Sequence, residues 1–562
     1  MHRHGAWARA GTPPRPAAVR GTSDAAEHMV PASATPSAAR ATAASPAVEV
    51  SAADAPTGGA LRSLRAVLLP DGAPASDGTL GGSVSLLTTG DAEGGAASNT
   101  ATPQGATTPT PVPAASSPPP PPPPPPTSYL VFSNAGKLVY ASCGMEREAA
   151  YTQAGVMHAL VSLFDGDVRG DALQQLELRQ PDGTLQIAFL AKPPLHVACV
   201  AKHAAPTGVL GANLAQVHAA VVSLVSADRL ERLFLRMPSF DLQALLEPTR
   251  TYLDGVVHDA DTSLALVLGA LPVCGLDAGL RTRLRQVCVP SGAADAAPRD
   301  LLYVIVLVRG QVACLAHPRH HVVHAPDVLL VLAMVRDGAA NPHADDAAGD
   351  AWAPMCLPHF APHGFVYVYA GTLGSAPDAP VLVLVGADRD GLVRARAWRD
   401  VLQPEFADGG GLAGVQASMH AHAVTTDDVG VPGLRDFVLT SRRHGQSTSV
   451  AHPDCTKDER AARLLLYQHT LAMLRGDRDA ARLLKSCSHP ARAPPVATPL
   501  RVYQSRTDAE ALLGWRTDGF ELCLALRPPW LSKGRMAAAA NRVLHWVRAR
   551  ERERFAVVLP FG

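Results

Sequence analysis

Residues 129–142 read YLVFSNAGKLVYAS, and the prediction of the fold starts from this stretch. The segments YLVFS and LVYAS are rich in β-branched and aromatic residues, which favour strands. The four residues between them, NAGK at 134–137, contain the glycine that a tight turn prefers. The pattern therefore predicts two antiparallel strands joined by a hairpin, with ordered structure beginning at residue 128.

A helix is predicted directly after this hairpin, at residues 146–164. Apolar residues recur in it at spacings of three and four and form one face, composed of Ala150, Ala154, Met157, Val161 and Phe164. Val156, Leu160 and Leu163 widen that face. We therefore expect the helix to be covered on two sides, by its own sheet and by a second surface.

Three strands and a second helix are predicted next. The strands are ALQQLELRQ at 172–180, TLQIAFLAK at 184–192 and LHVACVAK at 195–202, and the helix begins near Thr207. Tight turns join the strands, and helices separate the groups of strands. This order is typical of an α+β domain with an antiparallel sheet and not of a doubly wound parallel sheet.

The same order of elements recurs twice more without a repeated sequence motif. The second round has strands at 301–308, 312–316, 365–370 and 381–387, with helices at about 325–335 and after Asp390. The third has a strand at 435–441, a helix at about 457–474, strands near 500–504, 511–516 and 520–526, and a helix at 533–550. The small, polar segments 338–350 and 408–425 are predicted to be surface insertions.

Length and composition divide the chain into a leader and several domains. The 562 residues exceed what one hydrophobic core usually serves. Residues 1–127 are rich in Ala, Pro and Ser and end in nine consecutive prolines at 118–126, so a disordered leader with a stiff polyproline run is predicted. The predicted units are a leader at 1–127, a first α+β domain at 128–260, a helical connector at 261–300, a second domain at 301–425 and a third at 426–562.

Charge and cysteine content exclude some classes of protein. The formal net charge is zero, so no nucleic-acid partner is expected. None of the nine cysteines forms a Cys-x-x-Cys pair, which favours reduced, buried thiols. The longest near-apolar stretch identified in the sequence, residues 264–276, contains Pro272 and is too short to cross a membrane.

Motifs for nucleotide binding are incomplete. A phosphate loop ending at Lys137 would need a glycine where Val131 stands and a hydroxyl residue where Leu138 stands. The sequence GGGLAG at 409–414 has the spacing of a dinucleotide fingerprint, but it lies in a polar insertion and does not follow a strand. We therefore expect no cofactor.

Metal and catalytic sites are also not expected. A cluster of histidines occupies a strand-to-loop junction and comprises His317, His320, His321 and His324. No Cys or carboxylate stands near it at a ligand spacing, so exposed loop histidines are favoured over a metal site. No nucleophile elbow or Cys–His signature is present, and the chain is predicted not to be an enzyme with covalent chemistry.

The pair Arg442 and Arg443 is the candidate site for anionic lipid. It lies in LTSRRHGQS, directly after the predicted strand at 435–441. Each cation near a membrane surface contributes about 1 kcal/mol. The charged sequence RARERERF at 548–555 alternates in sign and is more typical of a solvated, salt-bridged helix face.

The residues quoted above resemble one family along most of the chain. YLVFSNAGKLVYASCG, GVMHALVSLF, FLAKPPLHVACVAK and SADRLERLFLRMPSFDLQALL resemble the first longin domain of the Mon-one family of vacuolar fusion proteins. LLYVIVLVRGQVACLAHPRHHVVHAPDVLLVLAMV resembles the second longin domain, and LLGWRTDGFELCLAL with AAANRVLHWVRARERERF resembles the third. The resemblance extends from Tyr129 to the C terminus and implies three longin-type domains behind the leader.

This resemblance implies a function in membrane traffic. Members of the family pair with a Ccz-type longin partner, and the heterodimer is a guanine-nucleotide exchange factor for the late-endosomal Rab, Rab-seven. It further implies an upstream early-endosomal Rab as a partner and peripheral association, from the cytosol, with the anionic membrane of the late endosome or vacuole. The alternative is a longin scaffold or tether without exchange activity.

Contact residues are predicted mainly on the first helix and the turn before it. The candidates for Rab or partner binding are Asn134 and Lys137 in the turn and Glu146, Glu148, Thr152, Gln153, Gly155, Met157 and His158 on the helix. Trp352, placed just outside a predicted strand, is a further candidate. For most single residues of the helix, a place in the domain's own core is the competing interpretation.

Overall fold

The protein is described here from a computed structural model. The described residues are 48–49, 127–142, 144–164, 173–180, 183–202, 205–288, 301–319, 321–338, 350–374, 379–407, 409–421, 424–477, 499–506, 510–527, 532–556 and 559–561. They all belong to one compact unit, Ser45–Gly562. The predicted leader, except Val48–Glu49 and Thr127, and most of the predicted insertion at 338–350 lie outside the described residues.

The first domain is a sheet with one helix on each face. Its elements are β2 (Thr127–Ser133), β3 (Leu138–Ala141), α1 (Arg147–Phe164), β4 (Gln175–Gln180), β5 (Gly183–Lys192), β6 (Leu195–Ala201) and α2 (Thr207–Val225). A short strand from the leader, β1 (Val48–Glu49), lies parallel to β4. The predicted hairpin, first helix, three strands and second helix are confirmed.

A helical segment follows the first domain and leads to the second. It comprises α3 (Ala227–Arg236), α4 (Leu242–Leu246), α5 (Arg250–Thr262), α6 (Ala265–Leu268), the two-residue strand β7 (Leu271–Pro272) and α7 (Ala278–Cys288). The Asp241 side chain caps α4 by accepting a hydrogen bond from the Ala244 amide. The sequence analysis did not place these helices, apart from the general expectation of a helical connector.

The second domain repeats the layout of the first. Its elements are β8 (Leu301–Val308), β9 (Gln311–Pro318), α8 (Ala325–Gly338), β10 (Ala351–Leu357), β11 (Ala361–Thr372), β12 (Val381–Gly386), α9 (Leu392–Phe406) and α10 (Val415–Ala421). The sequence analysis missed β10. It was also wrong about the insertion at 408–425, because Leu412 and Val415 are buried against the sheet and α9. The small residues around this apolar pair made the segment look like a solvated loop.

The third domain completes the repeat. Its elements are β13 (Leu434–Ser441), β14 (Gln446–Ala451), α11 (Lys457–Arg475), β15 (Val502–Arg506), β16 (Ala511–Arg516), β17 (Phe520–Leu526), α12 (Lys533–Ala549), α13 (Glu551–Arg554) and β18 (Leu559–Phe561). A capping box between Thr456 and Glu459 starts α11, and Gly476 ends it with a left-handed residue. The sequence analysis missed β14, whose residues QSTSVA are small and polar.

Strand order is the same in the three sheets. Each five-stranded core runs third, fourth, fifth, first and second strand: β4-β5-β6-β2-β3, β10-β11-β12-β8-β9 and β15-β16-β17-β13-β14. All pairs within these cores are antiparallel, which confirms the predicted α+β class. In the second and third sheets a parallel sixth strand lies beside the second strand, β18 on β9 and β7 on β14. β18 comes from the third domain, and β7 comes from the helical segment before the second domain. Strands from elsewhere in the chain therefore extend both sheets.

Helix α2 is the central packing element of the first two domains. Its apolar residues, among them Leu214 and Val221, join one hydrophobic core with the first sheet, α5, α8 and the second sheet. We call this cluster the shared core. The other end of α2 contributes Val209 to a smaller cluster with Tyr467 and Leu471 of α11. The first domain is therefore fixed to both others through the helix that covers one face of its sheet.

Helix α2 is a longer apolar segment than the one at 264–276 that the sequence pattern had identified. By length and composition it passes as a membrane span, although 67% of its apolar stretch is buried inside the fold. The sequence analysis overlooked it because Asn213, Gln216 and Ser223 interrupt the apolar run. These three side chains are buried and hydrogen-bonded, respectively to Tyr129, the Pro326 carbonyl and the Ala220 carbonyl. Such an arrangement suits a core helix, whose buried polar groups need partners.

The described cysteines match the expectation of buried packing residues. All seven are free and buried: Cys199, Cys274, Cys288, Cys314, Cys356, Cys455 and Cys523. Burial raises the pKa of Cys199 to about 12 and that of Cys314 to about 11, which disfavours the reactive thiolate. Cys143 and Cys487 lie outside the described residues.

Candidate functional site

Helix α1 has one buried face and one exposed face. The buried face comprises Ala150, Gln153, Ala154, Met157 and Val161, which pack on the first sheet. Gln153 and Met157 had been predicted as contact residues, but their side chains are 2% and 0% exposed, so they do not reach the surface. Helical geometry explains this correction. Gln153 lies three positions and Met157 seven positions after Ala150, so both are on the stripe of the helix that faces the sheet.

The exposed face of α1 is formed by small, polar and a few large apolar residues. Its exposed members are Arg147, Glu148, Tyr151, Thr152, Gly155, Ala159, Ser162 and Leu163. Leu163 is 76% exposed and Tyr151 is 44% exposed. A side chain added at Gly155 would meet open space. The second covering surface that the sequence predicted for α1 is therefore not supplied by the described residues, and the face is accessible.

The hairpin turn between β2 and β3 lies against the same helix. Asn134 and Lys137 are exposed in it, as predicted. The Asn134 amide donates to the Pro194 carbonyl (3.0 Å), which ties the turn to the loop between β5 and β6. Gly136 has a φ of +75°, and its α-carbon is covered by the His158 ring. The predicted candidates Asn134, Lys137 and His158 are thus brought together where the turn meets α1.

Helix α4 and the residue before it form a wall beside this surface. The Lys137 ammonium lies 3.6 Å from the Asp241 carboxylate, and the Tyr151 hydroxyl donates to Gln243 Oε1 (2.9 Å). The Arg250 guanidinium donates to the Ala141 carbonyl at the edge of β3 (3.2 Å). Between the wall and α1 lies a groove of about 410 Å³. Its lining includes Leu138, Ala141, Met145, Ala150, Arg147 and Glu247.

Three protein-family models match this chain in order along its length. Models of the first, second and third longin domains of FUZ, MON1 and HPS1 match residues 127–255, 299–402 and 433–551. This chain is 31% identical over 428 residues to "Vacuolar fusion protein MON1" of Cryptococcus neoformans, covering 75% of this chain and 63% of the relative. The chain belongs to the MON1 family of longin-domain proteins.

Other relatives carry the same or a related name. The chain is 28% identical over 432 residues to "Protein SAND" of Takifugu rubripes, covering 76% of each protein. It is 26% identical over 433 residues to "Vacuolar fusion protein MON1 homolog A" of Homo sapiens, covering 76% of this chain and 60% of the relative. The chain thus spans less than two thirds of the fungal and human MON1 proteins. The predicted family and its three longin domains are confirmed.

Among the remaining predicted contact residues, the position of Trp352 needs a correction. It lies within β10, where its ring stacks on Tyr367 with centroids 5.6 Å apart and planes 11° apart. It also packs on the core between the second sheet and α9. The sequence analysis placed it outside a strand because Pro354 interrupts the pattern that marks a strand. Trp352 lies on the second domain, and its role in partner binding stays a prediction.

The two arginines predicted to bind lipid differ in their surroundings. Both are exposed in the turn between β13 and β14. The Arg442 guanidinium lies 2.8 Å from the carboxylate of Glu521, whose side chain is 2% exposed. Arg475 and Arg516 approach the same carboxylate. Burial raises the pKa of Glu521, but the hydrogen bonds and charges of Arg475 and Arg442 outweigh burial and hold that pKa below its usual value. The charge of Arg442 is therefore partly balanced within the fold.

The histidines of the second domain serve packing and polar contacts. The His321 ring lies 5.2 Å from the Phe360 ring, and His324 stacks on His359. His320 lies outside the described residues. In the described part of the chain, no three His, Cys, Asp or Glu side chains are grouped so that they could hold a metal ion.

Tyr151, Asp241 and Gln243 were not among the predicted contact residues, and Leu163 was assigned only to the widened apolar face of the helix. Tyr151 and Leu163 could have been found, because a large apolar side chain opposite the buried stripe of a helix indicates an unused face. Asp241 and Gln243 carry no such signal. Their contribution depends on contacts with residues about a hundred positions earlier, and no local pattern encodes those contacts.

Proposed function

We propose that this chain acts in membrane fusion at the vacuole or late endosome as one subunit of a heterodimeric exchange factor for a Rab GTPase. The Rab is of the late-endosomal, Rab-seven type, and the other subunit is a Ccz-type longin protein. Family membership supports the setting, because the relatives named above are vacuolar fusion proteins. The complex acts from the cytosol, associates peripherally with the anionic membrane, and is recruited by an early-endosomal Rab.

One observation carries this proposal: of the three equivalent first helices, α1 alone keeps a long exposed face among the described residues. In α8, only Arg336 is exposed within 325–337. In α11, the exposed residues are confined to its first turns, at 457, 458 and 460–462, and no residue of 463–475 is exposed. The other domains cover α8 and α11, whereas α1 presents Tyr151 and Leu163 to solvent. An uncovered helix face with large apolar residues is typical of a protein-binding surface.

The proposed mechanism needs no covalent chemistry by the chain. Exchange is accelerated when the protein binds the nucleotide-free GTPase more tightly than the GDP-bound form, because only differential binding shifts the equilibrium between the two. The face of α1 supplies contact area without a bulky obstruction at Gly155. Glu148 and Lys137 supply charges of opposite sign at its rim. The partner's own longin domain completes the platform on which the GTPase rearranges.

The experiment is release of fluorescent GDP from candidate Rabs by the full chain co-expressed with its Ccz-type partner. The test variant is Gly155→Trp, which places a large side chain on the exposed face. The control is Gly211→Trp on α2, since Gly211 is also an exposed helical glycine whose added side chain meets open space. We expect the wild-type complex to accelerate release from one late-endosomal Rab. Gly155→Trp should lower that rate about tenfold or more, and the control should not.

The alternative function predicts a different outcome. A scaffold or tether would form the stable heterodimer and accelerate release from no Rab. An equal loss of GDP release in both glycine variants would contradict the assignment of α1 to the exchange surface, because it would show a general effect of the added tryptophan. Retained activity in both would do the same.

A further inference from the structure

A stack of three aromatic rings links the first sheet to α1. Phe132 of β2 is fully buried, and its ring stacks on His196 of β6 with centroids 5.5 Å apart and planes 16° apart. The Phe132 ring also stacks on His158 of α1, with centroids 6.4 Å apart and planes 23° apart. We call these three residues the aromatic ladder. It crosses from the sheet to the helix beside the hairpin turn.

The ladder ends on the glycine of the turn. A β-carbon built on Gly136 would lie 2.3 Å from Cδ2 of His158, far inside van der Waals contact. The His158 ring therefore occupies the space that a side chain at position 136 would need. The backbone independently requires glycine there, because its φ is +75°. The turn is closed by two backbone bonds, Gly136 N–H to Ser133 O (2.8 Å) and Ser133 N–H to Lys137 O (2.9 Å).

The His158 ring is also held from the helix side. Its Nδ1 lies 3.1 Å from the Ser162 hydroxyl one helical turn later. The ring is thus fixed by Phe132, Ser162 and Gly136, and it cannot swing away without losing all three contacts. On the far side of the turn, Lys137 is paired with Asp241. The turn is therefore clamped between α1 and the wall formed with α4.

We propose that His158 is a positioning residue that fixes the hairpin turn against α1, so that the turn and the exposed helix face act as one rigid docking surface for the GTPase. This inference rests on the proposed exchange function. It changes the role predicted for His158 from a direct contact to a support for Asn134 and Lys137. A rigid surface binds at lower entropic cost than one in which the turn must be ordered on contact.

The test uses the full chain in complex with its longin partner and four variants. His158→Ala removes the ring, His158→Phe keeps a ring of similar size, Gly136→Ala displaces the ring from the other side, and the fourth variant combines His158→Ala with Gly136→Ala. Hydrogen–deuterium exchange at residues 133–137 reports on the turn. GDP release over a range of complex concentrations separates the maximal rate from the apparent affinity. Co-purification of the partner reports on the heterodimer.

We expect His158→Ala to speed hydrogen exchange in the turn and to lower GDP release about tenfold, with the partner still bound. His158→Phe should recover most of the loss seen in His158→Ala, because Phe preserves the stack but gives up the hydrogen bond with Ser162. Adding His158→Ala to Gly136→Ala should cause little further loss, since both changes break one contact and such effects are not additive.

Two results would overturn the inference: unchanged hydrogen exchange in His158→Ala, or losses that add fully in the combined variant. A failure of the proposed function looks different. If the wild-type complex accelerates no Rab, the exchange proposal fails, while the hydrogen exchange of the turn still shows whether His158 holds it.

Discussion

Helices α1 and α8 occupy the same place in two domains of the same fold, and their surroundings are opposite. Each follows the hairpin of its domain and packs one face on the sheet. The second face of α8 packs in the shared core against α2 and α5. The second face of α1 is open to solvent within the described residues. The contrast shows that two helices at the same place in the fold can differ in exposure, because the neighbouring domains cover one and leave the other uncovered.

The two sequences already differ in the expected direction. α8 reads APDVLLVLAMVRDG and is apolar nearly all round, which is typical of a helix buried on two sides. α1 reads REAAYTQAGVMHALVSLF, in which Glu148, Thr152 and Gly155 interrupt the apolar residues on one side. A helix whose outer face must bind and release a partner has to stay soluble when free. The mixed face of α1 meets that requirement, and the face of α8 does not.

The largest expected effect comes from truncating matched leucines on the two helices. Leu330 of α8 is fully buried in the shared core, and Leu163 of α1 is 76% exposed. Leu330→Ala should lower the free energy of unfolding by about 2–5 kcal/mol, because it leaves a cavity between two domains. Leu163→Ala should change it by less than about 0.5 kcal/mol. Chemical denaturation of both variants measures the difference, and similar losses would contradict the contrast between the helices.

A second matched pair is the acid in the first turn of each helix. Asp327 of α8 is fully buried and accepts hydrogen bonds from the backbone amides of His359 and Phe360 (3.1 and 2.9 Å). Glu148 of α1 is exposed. Asp327→Asn should cost about 1.5–3 kcal/mol, because an amide N–H₂ would face donors that the carboxylate satisfied. Glu148→Gln should cost less than about 0.5 kcal/mol.

The melting temperatures of these two variants give the measurement. Hydrogen exchange at the turn between β10 and β11 is the second readout, because that turn contains the two backbone amides that donate hydrogen bonds to Asp327. A variant at Asp327 that melted like the wild type would show that α8 is held by its apolar face alone.

The sequence predicted the architecture because the apolar periodicity of each repeat is local. Residues such as Leu185, Ile187 and Phe189 alternate along β5 and are buried together on one face. β14 was missed because a strand of small polar residues gives no such alternation. Its place in the sheet is set instead by pairing with β13 on one side and the distant β7 on the other.

The candidate site was only partly predictable for the same reason. The turn and the helix are adjacent in the sequence, and the structure brings Asn134, Lys137 and His158 close together, but their role in partner binding stays a prediction. Met157 was assigned to the surface although its spacing from Ala150 and Ala154 already placed it on the buried stripe. The wall formed by Asp241 and Gln243 depends on contacts between residues far apart in the sequence. Tyr151 and Gln243, for example, are 92 positions apart, and only the folded chain brings them together.

The covered side of the first domain contains a hydrogen bond whose contribution to stability depends on pH. Asp261 of α5 accepts a hydrogen bond from the buried Tyr129 hydroxyl (2.7 Å). Burial raises the pKa of Asp261 to about 6, although hydrogen bonds from Tyr129 and Thr127 oppose the shift. The unfolded value is about 3.9. Because the folded pKa is the higher one, this group stabilises the fold more as the pH falls through 6, and that contribution is lost as the pH rises above it.

Asp261→Asn should remove this dependence. From pH 7 to pH 5, the difference in unfolding free energy between wild type and variant should shift by about 1 kcal/mol in favour of the wild type. Urea denaturation at several pH values measures it, and the difference between the two proteins cancels the titration of other groups. A constant difference between wild type and Asp261→Asn would mean that Asp261 stays ionised throughout.

The smallest expected effect repeats the contrast between covered and uncovered groups at two adjacent arginines. Arg442 is partly balanced by the buried Glu521 carboxylate, whereas Arg443 is exposed beside it. If this turn meets anionic lipid, Arg443→Ala should weaken binding to vesicles that contain anionic lipid by about fivefold, since one cation near such a surface contributes about 1 kcal/mol. Arg442→Ala should weaken it less, because part of the Arg442 charge already interacts with Glu521. Neutral vesicles and high salt should abolish the difference between the two variants. Equal losses would show that the pairing with Glu521 gives way at the membrane, and no loss in either would place the lipid contact elsewhere on the chain.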